Sequence, residues 1–346
     1  MKIIVDAMGG DNAPEEIVKG ALEAVQDKGI DVTLVGRGEE ILRIIERIGL
    51  KELPRGIEIV NATGIIGMED DPSTAIRTKK DSSLAVAFCL LRDGCGDACV
   101  SAGNTGAILS GATLLVKRVR GIRRAALAPV IPTGGRGFVL VDSGANSECT
   151  PEYLLQFAFM GAFYAETALG ITAPRVGLLN NGSERTKGTQ LQIETHALLE
   201  KARDSGSLNF IGNAEAKDAI EGNCDVLVCD GFTGNVLLKT LEGTAVYVMS
   251  ELKAIFKANL FTKLSALMIK RNLLKLRSRM NPDNIGGTAL LGISKPVIKA
   301  HGSSNANAIC SAIRQAANDA SLDIAGLLTE NIDRMMVEKN ARQDNT

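Results

Sequence analysis

One repeated unit constrains the fold of this chain more than any other feature. It consists of a short apolar run, a turn of small polar residues and an amphipathic segment. Runs such as VTLVG, FVLVD and DVLVCD are apolar on consecutive residues, as expected for strands that are covered on both faces. The repeat therefore predicts an α/β fold that is doubly wound, with a mainly parallel sheet sandwiched by helices.

The element boundaries follow from the apolar spacing. Strands are predicted at 2–6, 31–36, 57–61, 98–101, 137–142, 175–180, 208–212 and 224–229. Helices are predicted at 14–28, 39–48, 82–92, 104–118, 151–169, 188–203 and 304–320. Because no low-complexity linker divides the chain, we expect one α/β domain over 1–346, with a helical segment within it at 246–285 and a polar tail that frays at 337–346.

Composition excludes several classes of protein. The chain has 346 residues and a formal net charge of -1, so it lacks the global basic field that is typical of nucleic-acid binding. None of its seven cysteines has Cys-x-x-Cys spacing, which favours buried thiols of a reducing cytoplasm over a disulfide framework or a zinc cluster. We expect neither a signal peptide nor a membrane span, since no apolar stretch reaches roughly 18 residues.

Small polar turns follow five of the predicted strands, at the edge where α/β proteins bind ligands. Their glycines let backbone amides approach an anion, and their Ser, Thr and Asn side chains can hydrogen-bond its oxygens. Each turn alone is equally typical of an ordinary helix cap, but the five together favour a shared site. The candidate phosphate-binding or substrate-binding residues are Asp6, Gly9, Gly10, Asp11, Lys80, Ser101, Gly103, Asn104, Thr105, Gly106, Asp142, Asn146, Asn181, Arg185, Asp230, Gly231, Thr233 and Gly234.

Cationic residues stand where an anion site would need them. Arg77, Lys79 and Lys80 precede a predicted helix, and Arg185 and Lys187 follow a predicted strand. Lysine supplies a point charge for phosphate, and arginine supplies a planar fork. Solvated surface charge is the alternative interpretation of each residue.

The motifs support neither covalent catalysis by a serine nucleophile nor binding of a nucleotide. GNTGA and GFTGN are not Gly-x-Ser-x-Gly elbows, and the chain has neither a dinucleotide fingerprint nor a P-loop, so we predict no cofactor and no metal. There are two histidines. His301 precedes a Gly-Ser-Ser turn, where an imidazole can donate to an anion or move a proton, although a buried structural histidine is the alternative. His196 lies in an amphipathic run and is interpreted as a packing or surface residue.

A basic amphipathic stretch occupies 250–280, with apolar residues at helical spacing and a single acid, Glu251, among many lysines and arginines. Such a segment can lie on an anionic membrane, bind an acidic partner or pack as a dimer-forming helix. The candidate membrane or carrier-protein contacts are Leu260, Leu264, Lys270, Arg271 and Lys275.

Seven motifs together resemble the bacterial phosphate acyltransferases of phospholipid synthesis, the PlsX family. They are VDAMGGDNAP, KKDSSL, SAGNTGA, DSGAN, NNGSERTKG, DGFTGNVLLKTLEG and KAHGSSN, in this order from residue 2 to about residue 320. The resemblance implies a homodimer that transfers a long-chain acyl group from acyl carrier protein to inorganic phosphate. It further implies a fold similar to phosphotransacetylases and isocitrate/isopropylmalate dehydrogenases, peripheral contact with an anionic membrane, and use of the product by a membrane glycerol-3-phosphate acyltransferase.

Such a reaction requires no protein nucleophile, because phosphate attacks directly and a thiolate leaves readily. We expect the SAGNTGA turn with Lys80 and Lys187 to hold phosphate, and His301 or Asn235 to contact the reacting carbonyl. His301, Asn235 and Lys187 are therefore the candidate catalytic residues. A phosphotransacetylase-like enzyme that uses an acyl-coenzyme A and a non-catalytic membrane-surface scaffold are the alternatives.

Overall fold

The computed structural model describes residues 1–27, 29–133, 135–273 and 286–336, apart from the side chains of Ser73 and Leu260. Several sequence predictions fall outside the described residues. They are the contact assigned to Lys275, the part of the 246–285 segment beyond residue 273, and the tail at 337–346. The side chain of Leu260 is likewise outside the description.

The described residues alternate strands and helices along the chain. The strands are β1 (Lys2–Asp6), β2 (Asp31–Gly36), β3 (Ile57–Asn61), β4 (Ala98–Ser101), β5 (Ala126–Ala128), β6 (Val130–Ile131), β7 (Phe138–Val141), β8 (Val176–Leu179), β9 (Phe210–Ala214), β10 (Val226–Val228), β11 (Thr288–Leu291) and β12 (Val297–Lys299). The helices are α1 (Glu15–Ala24), α2 (Gly38–Arg47), α3 (Pro72–Thr78), α4 (Ser83–Arg92), α5 (Thr105–Gly111), α6 (Pro151–Leu169), α7 (Gln190–Asp204), α8 (Ala216–Ile220), α9 (Gly231–Lys257), α10 (Leu260–Met268), α11 (Ala306–Ser321) and α12 (Ile324–Glu330). A π-helical turn at Ala112–Val116 continues α5.

The strands form two sheets. A seven-stranded sheet has the order β3-β2-β1-β4-β12-β11-β5, and a five-stranded sheet has the order β6-β7-β10-β8-β9. Most neighbours are parallel; the antiparallel pairs are β11 with β12, β11 with β5, and β6 with β7. The predicted α/β class with mainly parallel strands is confirmed, and its strands are divided between two sheets.

The crossing from the first sheet to the second is short. β5 ends at Ala128 and β6 begins at Val130, so Pro129 alone separates strands of different sheets. Two main-chain hydrogen bonds brace this crossing, from Leu140 N to Pro129 O (3.1 Å) and from Ser143 N to Leu127 O (2.9 Å). The strands at the crossing are only two and three residues long, too short for an apolar period to reveal them in the sequence.

Helices cover the sheets because the central strands are apolar on both faces. All residues of β4 and β7 are buried. On one face α1 packs against α11, and a side chain at Gly20 would lie 2.6 Å from the carbonyl oxygen of Ala306, so glycine permits this close approach. The burial of apolar side chains between sheet and helices is the main stabilising contribution of such a core.

The predicted helix at 14–28 ends earlier, at Ala24. Its last turn tightens, since Gln26 N donates to Glu23 O and Asp27 N donates to Ala24 O, both with three-residue spacing. Helical hydrogen bonding therefore stops before the predicted end.

The helical segment is the most exposed part of the described chain. Only Gly231 and Gly234 of α9 are buried, and α10 packs against α9. Phe261 and Met268 of α10 are 84% and 82% exposed, and Leu264 is also exposed. None of the helices in the described ranges is long and apolar enough to cross a membrane.

Candidate active site

The loops that follow β1, β4 and β12 meet at one edge of the seven-stranded sheet and form the first half of the candidate site. β4 lies between β1 and β12, and Lys299 at the end of β12 is in register with Ser101 at the end of β4. The loops are also joined directly, because Asp11 N donates to Gly302 O at 2.8 Å and Asn12 Nδ2 donates to Ser303 O at 3.0 Å. The sequence-predicted turns after β1 and β4 are therefore neighbours, together with the turn that contains His301.

Asp6 holds these loops together from inside. Its carboxylate is buried and accepts from Ser101 Oγ at 2.7 Å and from Met8 N at 3.2 Å. Burial raises the pKa of Asp6, and the hydrogen bonds from Ser83 and Ser101 oppose that shift. A side chain at Gly9 would lie 2.5 Å from Asp6 Oδ2, so the loop needs glycine there. Asp6 is thus placed as a support of the loops, and its predicted contact with substrate stays a prediction.

The SAGNTGA turn contains a helix cap. Asn104 Oδ1 accepts from Ala107 N at 3.1 Å, and Asn104 Nδ2 donates to Met68 O at 2.8 Å. A side chain at Gly106 would lie 2.6 Å from Pro72, so this glycine lets α5 approach α3. Both observations agree with the structural alternative for this turn, in which its polar residues cap and pack.

His301 uses one ring nitrogen, Nδ1, for contacts within its own loop. Its Nδ1 accepts from Ser303 N at 3.3 Å and lies 2.9 Å from Ser303 Oγ. An Nδ1 that accepts from a backbone N–H is unprotonated, so the neutral ring carries its proton on Nε2. Burial lowers the pKa of His301, and the charges of Lys299 and Lys239 lower it further. His301 is therefore a neutral donor at neutral pH.

Lys299 is a candidate functional residue that the sequence predictions missed. It ends β12, it is half-buried, and its ammonium makes no salt bridge with any carboxylate in the described ranges. Burial lowers its pKa, and the charge of Lys239 adds to that shift. An apolar strand that ends in lysine two residues before His301 was the available signal. A half-buried cation without an acidic partner favours binding of an anion.

The second half of the candidate site lies at the ends of β7, β10 and β8 in the five-stranded sheet. Asp142 follows β7 and is fully buried. Its carboxylate accepts from Asn146 N at 2.7 Å and from Leu127 N at 2.9 Å, and the amides of Gly144 and Ala145 donate to it as well. Burial raises the pKa of Asp142, and these donors oppose the shift. The carboxylate is therefore fully occupied in holding its own turn.

The turn after β10 packs onto the turn after β7. Asp230 caps α9 by accepting from Thr233 N at 2.8 Å and from Thr233 Oγ1 at 2.7 Å. Gly231 N donates to Asn146 O at 2.7 Å, and a side chain at Gly234 would collide with the carbonyl oxygen of Asp142. These glycines therefore allow close contact between the turn after β7 and the turn after β10.

Two of the predicted catalytic residues are exposed in this half. Asn235 donates from Nδ2 to Ser143 O at 3.1 Å, and Lys187 makes no side-chain hydrogen bond or salt bridge within the described part of the chain. The guanidinium of Arg185 is hydrogen-bonded to Glu200, while Asn181 is exposed. Arg185 is thus already neutralised by an acid, whereas Lys187 has its charge available.

Helix α9 brings the two halves into electrostatic contact. It begins in the second half, and its Lys239 and Glu242 act on both Lys299 and His301 of the first half. Lys80 is exposed, and its neighbour Lys79 binds Asp70 at 2.6 Å. The described contacts do not join Lys80 or Lys187 to His301, so their shared role stays a prediction.

The other histidine is a packing residue, in agreement with its interpretation from the sequence. His196 is buried, its Nδ1 lies 2.9 Å from Asn213 Oδ1, and its ring packs edge-on against Phe210. The hydrogen bond and the ring contact hold α7 against β9.

Known structures with this fold include two phosphotransacetylases. A phosphotransacetylase from Streptococcus pyogenes superposes with a TM-score of 0.62 at 18% identity, covering 93% of this chain and 94% of that one. The EutD phosphotransacetylase from Staphylococcus aureus gives 0.60 at 15% identity, with 92% and 94% covered. A dehydrogenase-fold protein from Salmonella typhimurium gives 0.50 at 13% identity, with 94% and 99% covered. The chain thus shares its fold with these phosphotransacetylases and with this dehydrogenase-fold protein.

Sequence relatives narrow the class to one family. Residues 1–326 match the family described as fatty acid synthesis protein. The phosphate acyltransferase of Anoxybacillus flavithermus is 47% identical, covering 91% of this chain and 94% of the relative, and that of Thermoanaerobacter pseudethanolicus is 45% identical, covering 97% and 98%. The chain therefore belongs to the fatty acid synthesis protein family and is an acyltransferase, which confirms the resemblance carried by its motifs.

Proposed function

We propose that the protein transfers a long-chain acyl group from the thioester of acyl carrier protein to inorganic phosphate, and so supplies acyl phosphate for phospholipid synthesis. The observation that carries the proposal is the identity of 43 to 47% to proteins named phosphate acyltransferase over nearly their whole length. The chemistry of the candidate site supports it, since two cationic side chains that form no salt bridge with any described residue, Lys299 and Lys187, lie near strand ends where anions bind.

In the proposed reaction a phosphate oxygen attacks the thioester carbon. The new C–O bond forms, the carbonyl oxygen becomes an oxyanion, and the C–S bond then breaks with its electron pair leaving on sulfur, which takes up a proton. We assign the binding of phosphate to Lys187, Lys299 and the SAGNTGA turn with Lys80, and we assign contact with the oxyanion to His301 through its Nε2–H or to Asn235. Donors that are already oriented stabilise such an oxyanion strongly.

The three buried carboxylates receive a different role in this proposal. Asp6, Asp142 and Asp230 already accept hydrogen bonds from their own loops, and a carboxylate repels phosphate. We assign them the task of fixing the loops in which the polar groups and glycines lie. The predicted place of Gly9, Gly10, Gly103 and Gly231 beside the ligand is kept in this proposal as a matter of close approach, because the amides of Gly103 and Gly231 already donate to Ser101 Oγ and Asn146 O.

We further propose a cytoplasmic homodimer that touches an anionic membrane and delivers its product to a membrane glycerol-3-phosphate acyltransferase. The exposed apolar side chains of α9 and α10 support a surface of this kind, because large exposed apolar patches typically mark interaction sites. Leu260→Glu with Leu264→Glu should release the protein from anionic vesicles and leave turnover in solution unchanged. Retention on the vesicles would place the membrane contact elsewhere.

The first test is incubation with palmitoyl-acyl carrier protein and inorganic phosphate, following acyl phosphate and free carrier thiol together. Phosphate-dependent formation of both supports the proposal. Activity on acetyl-coenzyme A alone would favour a phosphotransacetylase-like enzyme. Absence of turnover with either donor would favour a scaffold.

The phosphate site can be tested by substituting one cationic residue, Lys187, and the N-cap residue of α5, Asn104. Lys187→Ala and Asn104→Ala should each raise the KM for phosphate by about tenfold, because the first removes a charge that holds the anion and the second removes the cap that orders the proposed phosphate-binding turn. Lys201→Ala, at an exposed lysine in the last turn of α7, is the matched control. An unchanged KM for phosphate in either variant would remove that residue from the site.

A further inference from the structure

A dense basic surface lies between the π-helical turn and β5, outside every role assigned above. Five cationic side chains fall within eight residues, namely Lys117, Arg118, Arg120, Arg123 and Arg124, which we call the arginine surface. None of them forms a salt bridge with an acid in the described ranges. The protein as a whole has a formal net charge of -1, so this surface is a local concentration of positive charge.

Part of the arginine surface is concave. Arg118, Arg123 and Arg124 line a cavity of about 500 Å³ together with Tyr153. The guanidinium carbon of Arg124 lies 5.6 Å from the centre of the Tyr153 ring, within the range of a cation–π interaction. The aromatic ring therefore helps to orient one guanidinium without neutralising its charge.

The backbone that carries these side chains is firmly held. Gln156 of α6 is buried and binds the chain twice, by accepting from Arg123 N at 2.8 Å and by donating from Nε2 to Gly121 O at 3.1 Å. Val119 N also donates to Gly292 O at 3.0 Å. A partner that binds here would order little additional backbone, which lowers the entropic cost of association.

The arginine surface adjoins the second half of the candidate site. Asn146, in the turn held by Asp142, donates from Nδ2 to the carbonyl oxygen of Ala125, the residue that follows Arg124. The charge of Arg124 also acts on Cys149, whose Sγ donates to Asn146 O at 3.5 Å, the same carbonyl oxygen that accepts from Gly231 N. A partner on the arginine surface would therefore lie beside the turns at the ends of β7 and β10.

We propose that the arginine surface docks the acidic protein that carries the acyl thioester. This inference rests on the proposed function, which requires such a carrier. Lys117 and Arg120 extend the positive charge beyond the cavity lining, over a wider area than one phosphate group covers. Arginine pairs with carboxylates through two parallel hydrogen bonds, which suits the surface of an acidic protein.

The placement differs from the one predicted from sequence, which assigned carrier contact to Lys270, Arg271 and Lys275. In the structure the described part of that segment exposes large apolar side chains, such as Phe261, Leu267 and Met268, beside its lysines. We favour the arginine surface for an acidic protein because its five cations fall within eight residues.

The test is direct binding of purified acyl carrier protein, measured by fluorescence anisotropy, to the full-length protein. Arg123→Glu with Arg124→Glu should weaken binding by about tenfold or more and raise the KM for the carrier-bound donor equally, while the KM for phosphate stays unchanged. Raising the salt concentration from 0.1 M to 1 M, which shortens the screening length from about 10 Å to about 3 Å, should weaken the wild type in the same direction.

The matched control reverses the same number of charges far from the site. Lys51 and Arg55 are exposed, form no salt bridge in the described ranges and precede β3, at the amino ends of the parallel strands. Lys51→Glu with Arg55→Glu should bind the carrier as the wild type does. Thermal unfolding of both variants checks that the fold is retained.

Several results would overturn the docking surface. One is a wild-type affinity for the carrier, or a raised KM for phosphate, in the variant with Arg123→Glu and Arg124→Glu. Another is an equal loss of carrier affinity in the control variant. A third is loss of carrier binding only on charge reversal at Lys270 and Arg271. Absence of carrier binding by the wild type would overturn it as well. Carrier binding that depends on Arg123 and Arg124 without formation of acyl phosphate would support docking and contradict the proposed reaction, so the two failures are distinguishable.

Discussion

The two halves of the candidate active site use their polar residues differently. In the first half, a single buried carboxylate, that of Asp6, joins the loops, and the cation Lys299 and the donor His301 form no salt bridge among the described residues. In the second half, Asp142 and Asp230 use their carboxylates to close two turns that pack tightly on each other.

This difference distinguishes residues that hold the loops in place from residues that are available to a ligand. An aspartate in a polar turn is an obvious candidate for a functional residue, but these aspartates accept hydrogen bonds from groups of the surrounding loops. Because those hydrogen bonds are made, burial of the carboxylates is tolerated. The groups left for a ligand are the cations and amides beside them. The second half is therefore expected to respond to mutation through stability, and the first half through activity.

The largest effect should come from Gly234→Ala in the second half. A new side chain there would collide with the carbonyl oxygen of Asp142 and force the two turns apart, so the free energy of unfolding should fall by about 3 kcal/mol. Denaturant titration measures the loss. Gly243→Ala in the same helix is the control, because no atom of the described residues lies within 4 Å of its added side chain, and it should be neutral or stabilising. Equal stability of both variants would contradict the tight contact.

A smaller effect, on activity, should come from Lys299→Met in the first half. The change keeps a long apolar stem and removes the charge, so kcat/KM for phosphate should fall by about 10- to 100-fold while stability is retained. Lys295→Met, in the loop before the opposite end of β12, is the matched control. If both variants lost activity equally, or neither did, Lys299 would have no special place in the site.

The smallest effect concerns the titration of His301. Burial and the charges of Lys299 and Lys239 lower its pKa, so removal of one charge by Lys299→Met should raise it. The acid limb of the pH–activity profile, where His301 becomes protonated, should then move to higher pH. NMR titration of the two histidines, with His301→Gln to assign the signals, measures the shift directly. A pKa that stayed unchanged or fell would place Lys299 too far away to matter.

Much of this arrangement could be predicted from the sequence. Apolar runs that end in polar turns fixed the order of the longer strands, and the five turns do lie at carboxyl ends of strands. The division into two sheets could not be predicted, since it depends on β5, β6, β11 and β12, which have two to four residues each.

Side-chain partners were harder to foresee than strands. The pairing of Arg185 with Glu200 joins a turn to a helix. It depends on the path of the chain, which cannot be predicted from a local sequence pattern. Lys299 was missed because a lysine at the end of a strand normally extends into solvent, and only burial from neighbouring loops gives it another role. The structural alternative for Asn104, a helix cap, was foreseen and is observed.

The crossing at Pro129 also determines how the molecule can move. Strands of two sheets that are separated by one residue and tied by hydrogen bonds on both sides offer no slack for a hinge. A hinge motion that separated the two sheets at Pro129 would break these hydrogen bonds. We therefore expect the crossing to be rigid and the two rows of strand ends to keep a constant separation. If the substrate is the long-chain acyl thioester proposed above, we expect its entry and the departure of its product to depend on the side chains and helices above those strand ends, with α9, which spans both halves, as the element in the best position to move.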